Sequence, residues 1–297
     1  MSTTTPTLPG GTWTLGDMTV TRFGYGAMQL AGPGVLGPPA DRDGALAVLR
    51  EVVQLGITHV DTAGAYGPWI TNGLIREALH PYPDSLHVIT KAGATRDEQG
   101  GWPVARRPEQ LRAQVQGDLE SLGLDALDLV HLRLGNGQGR HQESLAEAFE
   151  TMAELQQEGL VRHLGLTNVT AEQVDEAQAI APIVSVQNMY NLAYRDDDEL
   201  IDRLAAQGIA YVPWFPLGGF SPLQSEALTA VAERLGATTI SVALAWLLQR
   251  SPNILLIPGT SSIAHLRQNV AGAGLVLGPE DVAELDRIGG RPVVSPG

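Results

Sequence analysis

The chain contains no cysteine, which excludes disulfide bridges and thiolate metal sites and leaves stability to packing, hydrogen bonds and charge. Cations are scarce: 19 lysines and arginines stand against 33 aspartates and glutamates, for a net charge of -14. Nucleic-acid binding needs clustered Lys and Arg, and these few are spread along the chain, so no nucleic-acid partner is expected. No apolar run approaches the roughly 20 residues of a membrane span, and no membrane partner is expected either. The opening MSTTTPTLPGG lacks the basic and apolar regions of a secretion signal, so residues 1–11 are expected to form a flexible leader and the protein to be cytoplasmic. Also missing are a Pro/Ser-rich linker and any shift in composition, and with 43% hydrophobic residues among 297 a single domain over 1–297 is expected. In so acidic a chain, an anionic small molecule needs a local site made from backbone N–H groups and a few side chains.

What is present is a regular alternation of apolar strands and amphipathic helices. Thr12 to Leu15 and Met18 to Thr21 flank Gly16-Asp17, the pattern of a short hairpin. Phe23 to Met28 reads as a first strand, and a Pro/Gly-rich loop from Gly32 to Pro39 follows it. Helical periodicity over 43–55 precedes the β-rich Ile57 to Val60, which Asp61 closes. Helix over 72–79, strand over 87–90 closed by Lys91, helix over 108–122 and strand over 126–132 continue the series. Helix 142–158, strand 161–166, helix 171–180 and strand 183–186 come next, then helix 197–207 and strand 209–214. Helices 225–235 and 241–249 precede a last strand over 254–257, and helices 264–273 and 280–288 end the chain. Eight strands separated by helices long enough for right-handed crossovers select an α/β fold of the (β/α)8 TIM-barrel type with an N-terminal hairpin. No GxGxxG turn follows the first strand, which removes the main support for a Rossmann fold.

Chemistry in such a barrel sits at the carboxyl ends of the strands. Asp61, Lys91, His131, Arg133, Thr167, Asn168, Gln187 and Trp214 all fall at those ends and should face one mouth. Tyr66 follows Asp61 on a loop of Gly and Ala. Taken alone, Asp61 also suits a turn cap and Tyr66 a core edge; Lys91, ending the next strand at the corresponding place, favours a proton-donating site.

The segments Gly26-Ala27-Met28, Asp61-Thr62-Ala63-x-x-Tyr66-Gly67, Lys91, Gly165-Leu166-Thr167-Asn168, Val186-Gln187-Asn188-x-Tyr190-Asn191, Trp214-Phe215-Pro216-Leu217-Gly218 and Ile257-Pro258-Gly259-Thr260-Ser261-Ser262 together resemble the aldo-keto reductases over nearly the whole chain. The resemblance implies reduction of aldehydes and ketones, with NADPH/NADP+ held extended at the barrel mouth and NADH a weaker alternative. Hydride delivery to a carbonyl carbon leaves negative charge on oxygen, which needs a proton from a positioned acid. Tyr66 is the candidate donor. A phenol of ordinary pKa about 10 is a reluctant acid at neutral pH, and the Lys91 ammonium, kept charged by Asp61, eases the transfer by stabilising the phenolate.

The family's usual tetrad histidine lies five residues after an Asp in an Asp-Leu-Tyr-type strand. Counting from Asp128 reaches Arg133, while His131 lies two residues earlier on the same face and one layer deeper. Arg133 is therefore assigned a substrate-side electrostatic role, as a donor to a carbonyl oxygen or a holder of an anionic substrate. His131 is expected to support Lys91 or Tyr66 from below, or to be a hydrogen-bonded core residue. By resemblance, Ala27, Met28, Asp61, Thr167, Asn168 and Gln187 surround the nicotinamide, Trp214 stacks on it, and Phe215, Pro216, Leu217 and Gly218 pass the pyrophosphate. Gly259, Thr260, Ser261, Ser262, His265, Gln268 and Asn269 resemble the adenosine 2′-phosphate site, with Arg267 assisting; many relatives carry cations at positions 259 and 265. No metal is implied. An apolar or aromatic carbonyl substrate is expected from Met28, Gln29, Trp69, Trp102 and Phe220, and a monomer or weak homo-oligomer is expected. Two alternatives remain open at this level: a cofactor-binding sensor module of the channel β-subunit type with little turnover, and a cofactor-free barrel lyase or isomerase using Lys91 as a Schiff-base amine.

Overall fold

A computed structural model describes residues 8–135, 142–216, 218 and 225–289. The hairpin forms as expected, β1 (Thr12–Leu15) against β2 (Met18–Thr21) with Leu15 opposite Met18. Seven strands then run parallel in chain order: β3 (Tyr25–Gly26), β4 (His59–Asp61), β5 (His87–Ala92), β6 (Leu127–Arg133), β7 (Val161–Thr167), β8 (Ser185–Met189) and β9 (Ala210–Trp214). Between and after them lie α1 (Arg42–Gln54), α2 (Ile70–Leu79), α3 (Pro108–Leu122), α4 (Ala146–Gln157), α5 (Ala171–Ile180), α6 (Asp198–Ala206), α7 (Glu226–Arg234), α8 (Thr239–Arg250), α9 (Ile263–Ala273) and α10 (Pro279–Asp286).

The expected eighth strand closes the (β/α)8 barrel through isolated parallel bridges, Tyr211 to Ile254, Phe23 to Leu256 and Gly26 to Gly259. Glycine is required at that seam: a Cβ on Gly26 would lie 2.5 Å from the Ile257 carbonyl oxygen, and one on Gly259 2.8 Å from that of Gly26. A side chain at 259 would therefore require the seam to shift.

The strands are buried on both faces, as parallel strands covered by helices must be. β6 shows it: Leu127, Leu129, Val130 and Leu132 are all buried, and the main core lies between the strands and the apolar faces of α1 to α10. A separate cluster inside the barrel packs Leu15, Met18 and Val20 of the hairpin against Ile89, Leu129, Val212 and Leu255, so the hairpin seals the amino end.

Several element ends differ from expectation. The first strand shortens to Tyr25–Gly26 because Met28–Leu30 winds into a 3-10 turn. Asp61 and Arg133 lie within strands, β4 and β6, and α2 starts two residues early, at Ile70. Continuous apolar runs carry no alternation, so neighbouring strands set their ends. Of the expected leader, Leu8 is buried and Arg22 donates to the Gly10 carbonyl; residues 1–7 lie outside the described residues.

Candidate active site

Four described residues other than glycine have positive φ, Val35, Trp69, Asn168 and Phe215, and all four lie on segments beyond the carboxyl ends of strands. Such backbone costs of order 1–3 kcal/mol per residue and persists only where the surroundings enforce it.

At the centre of this mouth Lys91 Nζ donates to Asp61 Oδ1 at 2.5 Å and to the Thr62 carbonyl at 2.8 Å, and it lies 5.3 Å from the centre of the Tyr66 ring. Burial alone would lower the lysine's pKa; the charge of Asp61 and the contact with Tyr66 outweigh it and hold the pKa above the ordinary value. The amine is thus a fixed ammonium beside the phenol. Lys91 is also the single lysine in the sequence, every other strong cation being arginine, so composition alone marks it out.

Strand register sorts the remaining candidates into layers. Lys91, His131, Gly165 and Ser185 are successive partners across β5 to β8, while Arg133, Thr167 and Gln187 form the layer nearer the mouth. His131 is fully buried, with Nε2 2.6 Å from Ser185 Oγ, and burial followed by the nearby Lys91 charge pulls its pKa down to about 3. It is a neutral imidazole beneath the site. Gly165 leaves room for it, since a Cβ there would lie 2.6 Å from the ring.

Arg133 is half-buried at the mouth, its guanidinium 4.8 Å from the centre of the Trp102 ring. Arg96 lies over the same ring at 4.2 Å, and Trp102 meets Tyr66 edge-on at 6.4 Å. Burial lowers the pKa of Arg133, with Tyr66 opposing and Arg96 adding to the shift; a guanidinium stays protonated regardless. Tyr66, Ala63, Ala31 and Val35 form a small apolar cluster with Met28 and Trp102, and Trp69 is 42% exposed at the rim.

Behind Lys91 lies a buried polar network that the sequence did not announce. Asp118 of α3 accepts from Thr90 Oγ1 at 2.7 Å and Asn72 Nδ2 at 3.0 Å, and Asn72 accepts from Thr62 Oγ1 at 2.9 Å. Trp69 also donates to Asp118; burial raises the carboxyl's pKa to about 7 against these bonds and the Lys91 charge. Gly64 and Gly117 make room, since a Cβ on the first would lie 2.3 Å from Asp118 Oδ1 and one on the second 2.7 Å from the Trp69 ring. Asp118 thereby joins the strand carrying Lys91 to the loop carrying Tyr66.

The residues expected around a nicotinamide converge on the same mouth. Gln187 Nε2 donates to Asp61 Oδ2 at 2.8 Å, which leaves its oxygen to accept from a carboxamide. Asn168 is held by its Nδ2 on the Leu134 carbonyl at 3.0 Å, Ala27 N–H donates to the Asp61 carbonyl at 2.8 Å, and Trp214 meets Phe215 edge-on at 4.9 Å. On the far side, Ser262 caps α9 by accepting from the His265 amide, Thr260 Oγ1 accepts from the Ser262 amide, and Asn269 is buried while Ser261, His265 and Gln268 are exposed. The first-turn amides of α9 have no partner within the helix, and its dipole favours an anion there. An amide pair for a carboxamide, an aromatic face and a capped helix start fit a nicotinamide dinucleotide. Arg267 does not join this set; its Nε lies 2.7 Å from Glu51 Oε1 on α1. Pro216 and Gly218 are placed beyond β9, whereas Leu217, Phe220 and residues 136–141 lie outside the described residues.

The chain is similar to known proteins over most of its length. The model of the "Aldo/keto reductase family" matches residues 22–289. Pyridoxine 4-dehydrogenase of Escherichia coli is 57% identical over 283 residues, covering 95% of this chain and 99% of that protein. An uncharacterized oxidoreductase of Schizosaccharomyces pombe is 39% identical over 94% of this chain and 90% of its own length. Among solved structures, an aldo-keto reductase from Klebsiella pneumoniae in complex with NADPH superimposes with a TM-score of 0.78 at 25% identity, covering 95% of this chain and 96% of that one.

Proposed function

Because this chain belongs to the aldo/keto reductase family, we propose that it is an NADPH-dependent oxidoreductase that reduces an aromatic aldehyde of the pyridoxal type to the corresponding alcohol. The observation that carries this is the Asp61–Lys91–Tyr66 constellation at the barrel mouth, with the ammonium held charged beside the phenol. NADPH, when bound, supplies the hydride that forms the new C–H bond at the carbonyl carbon. As the C=O π pair moves onto oxygen, Tyr66 gives up its proton to that oxygen, and Lys91 stabilises the phenolate left behind. Asp61 holds Lys91 on one carboxylate oxygen and Gln187 on the other, so the proton donor and the residue that orients the carboxamide share one anchor. Thr167, Asn168 and Gln187 fix which ring face is presented, Trp214 covers the other, and the residues from Gly259 to Asn269 hold the adenosine end. Arg133 acts on the substrate side.

The fixed charge on Lys91 counts against a Schiff-base mechanism, which needs a neutral amine. The 57% identity to a pyridoxine 4-dehydrogenase supports the choice of aldehyde. The test is fluorescence titration of the protein with NADPH and with NADH, followed by turnover with pyridoxal. Tight NADPH binding and conversion to pyridoxine are expected. If neither nucleotide binds, the reductase is excluded, and borohydride trapping of substrate on Lys91, the chain's single lysine, becomes the deciding experiment.

A further inference from the structure

We propose that Arg133 and Arg96, both set on the Trp102 ring beside Tyr66, form an anion subsite that selects aromatic aldehydes bearing an ionised oxygen ortho to the formyl group. The inference rests on the carbonyl-reductase reading above and adds what the site recognises beyond the carbonyl.

Among the described residues, Arg133 differs from other partly buried arginines in having no acid or carbonyl partner for its guanidinium. Arg22 gives its guanidinium to the carbonyls of Gly10, Leu248, Ser251 and Ile254. Arg195 and Arg250 pair with Asp198. Among the described residues Arg133 has neither carboxylate nor carbonyl, only the face of Trp102. Arg96 is likewise without a carboxylate in ion-pair contact; it donates to the carbonyls of Gly34, Gly100 and Gly101. A guanidinium at a mouth that rests on an aromatic ring, with no acid beside it among the described residues, is a place for an anion.

Three features fix the kind of anion. A guanidinium on an aromatic ring keeps its edge N–H groups available, and those donors match a planar oxygen acceptor. Arg133 shares the layer of Thr167 and Gln187, level with the carboxamide-orienting residues and beside Tyr66, so the oxygen it holds must sit next to the carbonyl that Tyr66 protonates. Met28 and Trp102, packed with Tyr66, line this side with flat or apolar surface, which suits a ring. An ortho phenolate meets all three conditions: one oxygen faces Tyr66 and its neighbour faces Arg133. In a chain of net charge -14 the overall field repels such a substrate, so the attraction must come from this cluster.

The experiment compares 3-hydroxypyridine-4-carbaldehyde with pyridine-4-carbaldehyde, using the full chain and NADPH, in the wild type, Arg133→Lys and Arg133→Met. NADPH titration of each variant reports whether the barrel and cofactor site are intact. The wild type is expected to favour the hydroxylated aldehyde by about tenfold or more in kcat/KM, in line with the discrimination of a site built for a polar group. Arg133→Met should cost that substrate far more than the plain one and collapse the preference, with Arg133→Lys between the two. Equal losses on both aldehydes in Arg133→Met would overturn the subsite and assign the arginine to the reacting carbonyl alone. Calorimetric binding of the two corresponding pyridine methanols to the NADP+ complex reads the subsite without turnover. If the wild type reduces neither aldehyde the reductase reading fails, while an Arg133-dependent preference in that binding still supports the subsite and its absence overturns it.

Discussion

The two ends of the barrel treat charge in opposite ways. At the amino end, Asp17 in the hairpin turn accepts from Arg162 at 2.9 Å and lies 2.6 Å from His163, and Asp128 faces Arg162 at 2.6 Å and His87 at 3.3 Å. Bonding to His163 leads the effects that lower the pKa of Asp17; for Asp128 burial works upward and is outweighed by His87 and Arg162. There Asp17 and Asp128 have their counter-ions within the chain, the hairpin closes the lumen with Leu15, Met18 and Val20, and none of the described residues with strained non-glycine backbone occurs. At the mouth, among the described residues, Lys91 is shared between Asp61 and Tyr66, Arg133 is left without a carboxylate, and four residues other than glycine hold positive φ. Compensation within the chain marks the end that stabilises; charge left over for a ligand marks the end that reacts.

The comparison breaks most readily at the mouth. Tyr66→Phe removes the proposed proton donor and leaves the packing, so carbonyl reduction should fall by about 10²- to 10⁴-fold while NADPH binding, read by fluorescence, persists. A fall of less than tenfold would mean that the proton comes from elsewhere. Lys91→Met strands Asp61 in the interior, and breaking a buried pair costs roughly 3–5 kcal/mol. Urea unfolding should show that loss, and adding Asp61→Asn should recover part of the stability but no activity. If the double variant is no more stable than the single one, the pair is not what holds the site together.

The amino end gives a pH effect. His59 is buried, and burial, followed by the neighbouring His87, pulls its pKa down to about 4 against a weaker opposing contact with the Thr21 backbone. As pH falls below about 6.5 the unfolded chain takes up a proton that the folded one refuses. This contribution to stability is complete above that pH and is lost progressively toward pH 4, worth roughly 3 kcal/mol in all. His59→Leu should remove that loss, seen as a smaller difference between urea midpoints at pH 7 and pH 5. Asp118 shifts in the opposite direction, but it is common to both proteins and cancels in the comparison. An unchanged difference would show that the imidazole is hydrated in the fold. The smallest effect belongs to the exposed pair: Asp17→Asn should cost less than about 1 kcal/mol, less still in high salt, and leave turnover unchanged.

Much of the site was legible in the sequence because the barrel makes it so. A polar residue that ends an apolar strand has few structural uses, and Asp61, Lys91, Thr167, Asn168, Gln187 and Trp214 were found on that ground. That Arg133 lies one layer nearer the mouth than His131 was legible by counting, since residues two apart on a strand share a face but differ in depth. Asp118 was not legible: on α3 it reads as one more acid on an amphipathic helix, and only the packing of α3 against α2 and β5 puts it under Thr90 and Asn72. Nor was the pairing of Arg267 with Glu51, which depends on α1 and α9 meeting across more than 200 positions of sequence.

The sequence by itself determined the order of strands and helices and the end of the barrel at which Asp61, Tyr66 and Lys91 gather, because these follow from periodicity and from local residue type. Only the tertiary structure decided which charges are spent on one another and which are left for a ligand. That depends on the distances between side chains on separate elements: Glu51 pairs with Arg267, Asp198 with Arg195, Asp202 with Arg250, and among the described residues Arg133 meets no acid, resting on the face of Trp102.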